Sequence, residues 1–191
     1  MKGVNLYSFV YQGILTDECL DKNGRKKHRQ ADRHEIEELR TRLSIRMLDR
    51  DLIAQAEISS VAFIAMNAFE NSVRAFVSKA MAEFYDADWW DKVSASIKKK
   101  VQQRKEDEAK VKWHSSRGTA DIFYCDFGDL QGIIISNWDA FSEVLREQEW
   151  VKPILTTLER SRNVIMHGGE LDRQDYERIG IHIRDWIRQT G

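Results

Sequence analysis

Between Val151 and Ile165 apolar residues recur in steps of three and four: Val151, Ile154, Leu155, Leu158 and Ile165, with Arg162 on the same stripe. That spacing puts all six side chains on one helix face. Pro153 suits the first turn of this helix, and Gly168-Gly169 supplies its stop. The same period recurs upstream. Ile36, Leu39, Leu43, Met47 and Leu48 step by threes and fours, and Ile53 and Ile58 lead into the most apolar helix, over 57–84. Its apolar groups cover most of the circumference, which predicts a central position in a bundle. A helix follows from Asp86–Trp90, with Asp88 as candidate N-cap. Asp126 or Asp129 caps a helix over 129–137, and Asn137-Trp138-Asp139 bends the chain before another over 139–147. Asp172 or Asp175 opens the last, to about Gln189, with a stripe of Tyr176, Ile179, Ile183, Trp186 and Ile187. No strand pattern or repeat stands out. The prediction is an all-α bundle of about five to seven helices.

Composition agrees. One proline and ten glycines among 191 residues leave few breakers. A hydrophobic share of 42% with 32% charged residues fits an ordinary folded domain. The division expected is an arm and basic loop over 1–33 and a helical domain over 34–191. The arm carries Leu6, Tyr7, Phe9, Val10, Tyr11, Ile14 and Leu15; the loop, from Asp21 to Arg33, reads as a solvated linker or as a phosphate contact. No signal peptide is evident, and no apolar run approaches a bilayer-spanning length. The expectation is a cytoplasmic protein with no membrane partner. Cys19 and Cys125 show no ligand spacing with each other or with histidines, so neither a metal nor another cofactor is expected.

Net charge is −1, which argues against a broad nucleic-acid coat and confines any such contact to local patches. Besides the basic loop, two candidates offer themselves. Lys98, Lys99 and Lys100 begin a basic run that is either a solvated helix end or a backbone contact. Trp113 and Arg117 lie in a loop where an aromatic among basic groups can stack on an unpaired base or tuck into the core edge.

The candidate chemistry centres on Arg162, Asn163 and His167. A guanidinium in an apolar stripe needs a carboxylate partner. Glu70, with Arg74 one turn on, is the carboxylate expected to serve it from the apolar helix. His167 falls at the helix end, where the helix dipole favours a histidine. Asn163 lies four residues before it, on the same face. On spacing alone a core ion pair and a helix-terminal histidine are the favoured account of these residues, since a lone Arg and His prove little.

The run Arg162-Asn163-Val164-Ile165-Met166-His167 resembles the R-x-x-x-x-H signature of the HEPN superfamily. Upstream, Tyr124–Leu130, Ile133-Ile134, Asn137–Phe141, Ala68–Arg74 and the Trp89-Trp90 pair are similar to a HEPN branch also found attached to a PIN-type RNA quality-control nuclease. The likeness runs from about residue 40 to the C-terminus. It implies a HEPN-like helical bundle and metal-independent endoribonuclease chemistry by Arg162, His167 and Asn163, with Glu70 and Arg74 supporting the site. It also implies a homodimer in which two motifs meet, acting on RNA, in a toxin or antiphage setting with an antitoxin or defence partner. A silent HEPN module used for dimerisation, RNA binding or partner binding is the alternative. One toxin branch has a Tyr two residues after the His; Gly169 stands there, so its control by nucleotide modification is not implied. No Gly-rich phosphate loop, H-E-x-x-H or G-x-S-x-G occurs.

Overall fold

The computed structural model describes Thr16 and residues 32–191, so the arm, most of the basic loop and Cys19 lie outside the described residues. The chain divides into two units, 1–49 and 50–191.

In the first unit, helix α1 (Arg33–Arg42) is opened by the Asp32 side chain, which accepts from the His34 N–H at 3.1 Å. An Arg42–Glu38 ion pair braces it at 2.6 Å. The apolar period through Met47 predicts one continuous helix, but the helix ends early. Ser44 adopts a left-handed φ of 54°, and a 3-10 turn takes over at Ile45–Met47.

The second unit holds α2 (Arg50–Tyr85), α3 (Ala95–Ala109), α4 (Phe127–Ser136), α5 (Ser142–Leu145), α6 (Gln148–Met166) and α7 (Arg173–Thr190). Short 3-10 turns lie at Trp89–Lys92, Asp121–Tyr124 and Trp138–Ala140. Among the described residues there is no strand. Helix α4 packs on α6 and α2, and α7 packs on α6. Their shared core includes Met66, Phe69, Val73 and Val77 from α2, Leu130, Ile133 and Ile134 from α4, and Val151, Leu155 and Leu158 from α6. Each such side chain contributes roughly 1.5–3 kcal/mol on burial. Trp186 joins α7 to this core. Its indole meets Phe69 and Phe76 edge-on at 5.7 and 5.8 Å and stacks on Trp150 at 5.8 Å.

Helix starts follow local chemistry. Asp126 and Asp129 together form a capping box at α4, and Asp172 with Asp175 does the same at α7. Other expectations need correction. Asp86, at φ 65°, ends α2; Asp88 opens only a 3-10 turn and gives no side-chain cap, and α3 starts after an extended Val93. Helix α6 begins at Gln148, so Pro153 sits inside it rather than in its first turn. Ile187 is exposed, because Trp186 takes the core-facing direction one residue earlier. Helix α2 is central in its contacts yet not buried all round: Ile58, Val61 and Ile64 are about two-thirds exposed. It is also long and apolar enough to cross a membrane by length and composition, contrary to the expectation that no run approaches that length. Its buried face belongs to the protein core just described.

Candidate active site

The end of α6 is built by a Schellman stop. The Gly169 N–H donates to the Val164 carbonyl at 2.8 Å, and the Gly168 N–H to that of Ile165 at 3.0 Å. Gly168 adopts φ 75°, a conformation costly for any residue with a Cβ. At Gly169 a Cβ would fall 2.8 Å from the Val164 side chain. Between helix and glycines sits His167, the capping residue, whose N–H bonds back to the Asn163 carbonyl at 3.1 Å. Its side chain is exposed at a fixed terminus.

Arg162 lies one and a half turns earlier, beyond the buried Leu158 and Ser161. As the stripe predicts, Glu70 receives it. Arg162 Nη1 donates to both Glu70 oxygens at 3.2 and 3.3 Å. Glu70 is itself buried and takes a second guanidinium: Arg74 Nη2 donates to Oε1 at 2.5 Å. Arg74 is pinned in turn, donating from Nε and Nη2 to the Cys125 carbonyl at 3.2 and 2.7 Å. The guanidinium of Arg162 is less fully bonded. Nη2 reaches Asn163 Oδ1 at 3.3 Å, and the buried Nε has no partner. The Cys125 thiol below is pushed up to about 12 by burial and by the Asp129 charge, so only its carbonyl serves the site.

A second charge cluster stands behind the first. Asp129 is buried and accepts from Arg104 Nη1 at 2.5 Å and Lys100 Nζ at 3.1 Å. Arg104 also donates to the Tyr124 carbonyl at 2.5 Å and, from Nη2, to Asp126 at 2.7 Å. Burial opposes ionisation of Asp129, but the Arg104 and Lys100 hydrogen bonds outweigh it and hold the carboxyl below its usual range. Nearby, burial and the Asp126 charge push Glu159 up.

These elements enclose a cleft of about 570 Å³. Of the residues singled out from sequence, it brings together Arg162, Asn163, His167, Glu70, Arg74 and Arg117. Lys98, Lys99, Lys100 and Trp113 are not part of its lining. Lys98 bonds to the Asp91 carbonyl at 3.1 Å, Lys100 serves Asp129, and Lys99 is exposed. The cleft adds Phe63, Asn67, Arg104 and Asp126, among others. Asn67 had a signal: it precedes Glu70 by three and Arg74 by seven, on one face. So did Arg104, which continues a stripe from Ile97 and Val101 as Arg162 does. Chemically, the motif brings to the cleft an exposed imidazole, His167, and the guanidinium of Arg162, anchored from behind by Glu70, where an anion can approach. Among the described residues no group of three or more His, Cys, Asp or Glu side chains is placed to hold a metal ion.

A family model described as Swt1-like HEPN matches residues 65–191, which span α2 from its middle to the end of α7 and contain the cleft's motif. No curated protein and no solved structure matches the chain.

Proposed function

The chain belongs to the Swt1-like HEPN family, and on that premise we propose that it is a metal-independent endoribonuclease. The observation that carries this reading is the convergence of Arg162, Asn163 and His167 on one cleft, with Arg162 braced by the buried Glu70. In the proposed reaction the 2′-hydroxyl attacks its adjacent phosphodiester. The new bond joins O2′ to phosphorus, and the P–O5′ bond breaks. The products are a 2′,3′-cyclic phosphate and a 5′-hydroxyl. His167 transfers protons near neutral pH, and Arg162 stabilises the charge that builds on the phosphoryl oxygens. Asn163 orients either group.

One imidazole cannot both take the 2′ proton and give one to O5′ in the same step. The proposal therefore includes a homodimer in which two clefts meet and two His167 side chains share the proton work. Cytoplasmic action as a toxin or defence effector, under a partner protein, fits the same reading. The second reading, a silent module that binds RNA or a partner, keeps the fold without the chemistry.

The test is cleavage of cellular RNA by wild type, His167→Ala and Arg162→Ala in excess EDTA, with end-group analysis. Cleavage by wild type alone, leaving cyclic-phosphate ends, supports the enzyme. Absence of cleavage, or equal cleavage by all three folded proteins, removes it and leaves the silent module. Light scattering that reports a monomer, together with full activity at high dilution, sinks the shared site.

A further inference from the structure

Four guanidiniums line the cleft, and their bonding separates them. Arg74 is committed to Glu70, Asn71 and the Cys125 carbonyl. Both terminal nitrogens of Arg104 are taken by Asp126, Asp129 and the Tyr124 carbonyl. Arg162 leans on Glu70. Arg117 is different. Its Nε contacts Glu108 Oε1 at 2.9 Å, while its backbone N–H donates to Oε2 at 3.2 Å. Its guanidinium lies 5.8 Å over the Tyr124 ring, whose hydroxyl donates to the same Glu108 at 2.9 Å. So Arg117 is held from one side by a carboxylate and from below by an aromatic face. Its Nη1 and Nη2 carry no hydrogen bond among the described residues, and its side chain is half exposed. A guanidinium held by its inner nitrogen presents its outer fork with little ordering left to lose on binding.

Arg117 also lines an adjoining hollow of about 350 Å³ with His114. Next to His114 stands Trp113, 86% exposed, its ring meeting the imidazole edge-on at 5.6 Å. Trp113 stands four positions before Arg117, at most about 14 Å of chain. A fixed cation with an open fork beside an uncovered indole is what a phosphate with an unpaired base attached requires.

We infer that Arg117 and Trp113 form a flanking-nucleotide subsite: Arg117 binds a phosphate of the strand next to the one held at Arg162 and His167, and Trp113 stacks on its base. This rests on the ribonuclease reading and assigns that site an unpaired strand rather than a duplex. It also answers the charge balance. A chain of net charge −1 has no overall basic excess, and the subsite supplies grip from a fixed cation and stacking instead.

The experiment uses full-length His167→Ala protein, a labelled single-stranded oligoribonucleotide and the corresponding RNA duplex, with wild-type cleavage run alongside. Adding Arg117→Ala is expected to weaken single-strand binding about tenfold and to reduce the slope of log K against log salt by about 0.7. Adding Trp113→Ala is expected to weaken it five- to tenfold, with Trp113→Phe retaining most of the affinity and the duplex unaffected by either Trp change. Both residues are exposed, and matching thermal melts establish that the fold is intact. If the His167→Ala protein binds the single strand but neither substitution moves affinity or slope, the subsite is wrong, while wild-type cleavage keeps the ribonuclease reading alive. If His167→Ala does not bind RNA and wild type does not cleave it, both fall together.

Discussion

Among the described residues, two buried carboxylates, Asp129 and Glu70, each gather guanidinium partners, and the two clusters are finished differently. Around Asp129, Arg104 engages both terminal nitrogens at 2.5–2.7 Å, Lys100 adds a third contact, and a capping box uses the remaining lone pairs. Around Glu70, Arg74 is equally well tied, but Arg162 makes only 3.2–3.3 Å contacts and leaves its buried Nε without a partner. An unsatisfied buried donor costs roughly 1–3 kcal/mol. The closed cluster is scaffold: it ties α3 to the start of α4. The open one keeps a buried donor without a partner and holds Arg162 by long contacts only, while the Arg162 side chain, 27% exposed, lines the cleft.

That contrast breaks most sharply at its two centres. Asp129→Ala takes the buried carboxylate away from Arg104 and Lys100, although Asp126 and the Tyr124 carbonyl still hold Arg104, and it removes half a capping box, so it is expected to cost about 2–4 kcal/mol, read as a lower urea midpoint. Arg162→Ala leaves Glu70 paired with Arg74. Its expected stability loss is below about 1 kcal/mol, while cleavage falls at least about a hundredfold. A large stability loss with intact cleavage would reverse the assignment of the two clusters. Acid tests the closed cluster on its own. The carboxyl of Asp129 titrates lower folded than unfolded, so its contribution is present at neutral pH and is lost as pH falls below about 4. Asp129→Asn should flatten that part of the stability–pH curve. Smaller again is Gly168→Ala, which forces a Cβ into φ 75°. It is expected to cost about 1 kcal/mol and to lower cleavage by unsettling His167, measured by thermal melt and turnover.

The two clusters also differ in how far they could be read from sequence. Arg162 interrupts a stripe of five strongly apolar residues, and a cation there demands a carboxylate, so Glu70 was legible. Arg104 follows the same rule behind only Ile97 and Val101, in a run so basic that one inward cation does not stand out. Lys98, Lys99 and Lys100 look like a patch when written in a row. On a helix each is turned about 100° from the next, and two of the three are spent on Asp91 and Asp129. The loop carrying Trp113 and Arg117 has no period at all; only the fold puts Arg117 in the same cleft as His167. The helix stop was legible for the same reason as Arg162, because two glycines after a periodic run have one economical geometry.

Helix α2 carries three duties on three sides. Met66, Phe69, Val73 and Val77 face the core; Phe63, Asn67, Glu70 and Arg74 face the cleft; Ile58, Val61 and Ile64 face outward. These are angular sectors of one rod, not segments of it. In a library of all single substitutions across α2, protein abundance and cleavage should therefore each oscillate with a period of about 3.6 residues, the second wave displaced from the first by about a quarter-turn. The phase difference, rather than any single variant, would then locate the catalytic side of the helix.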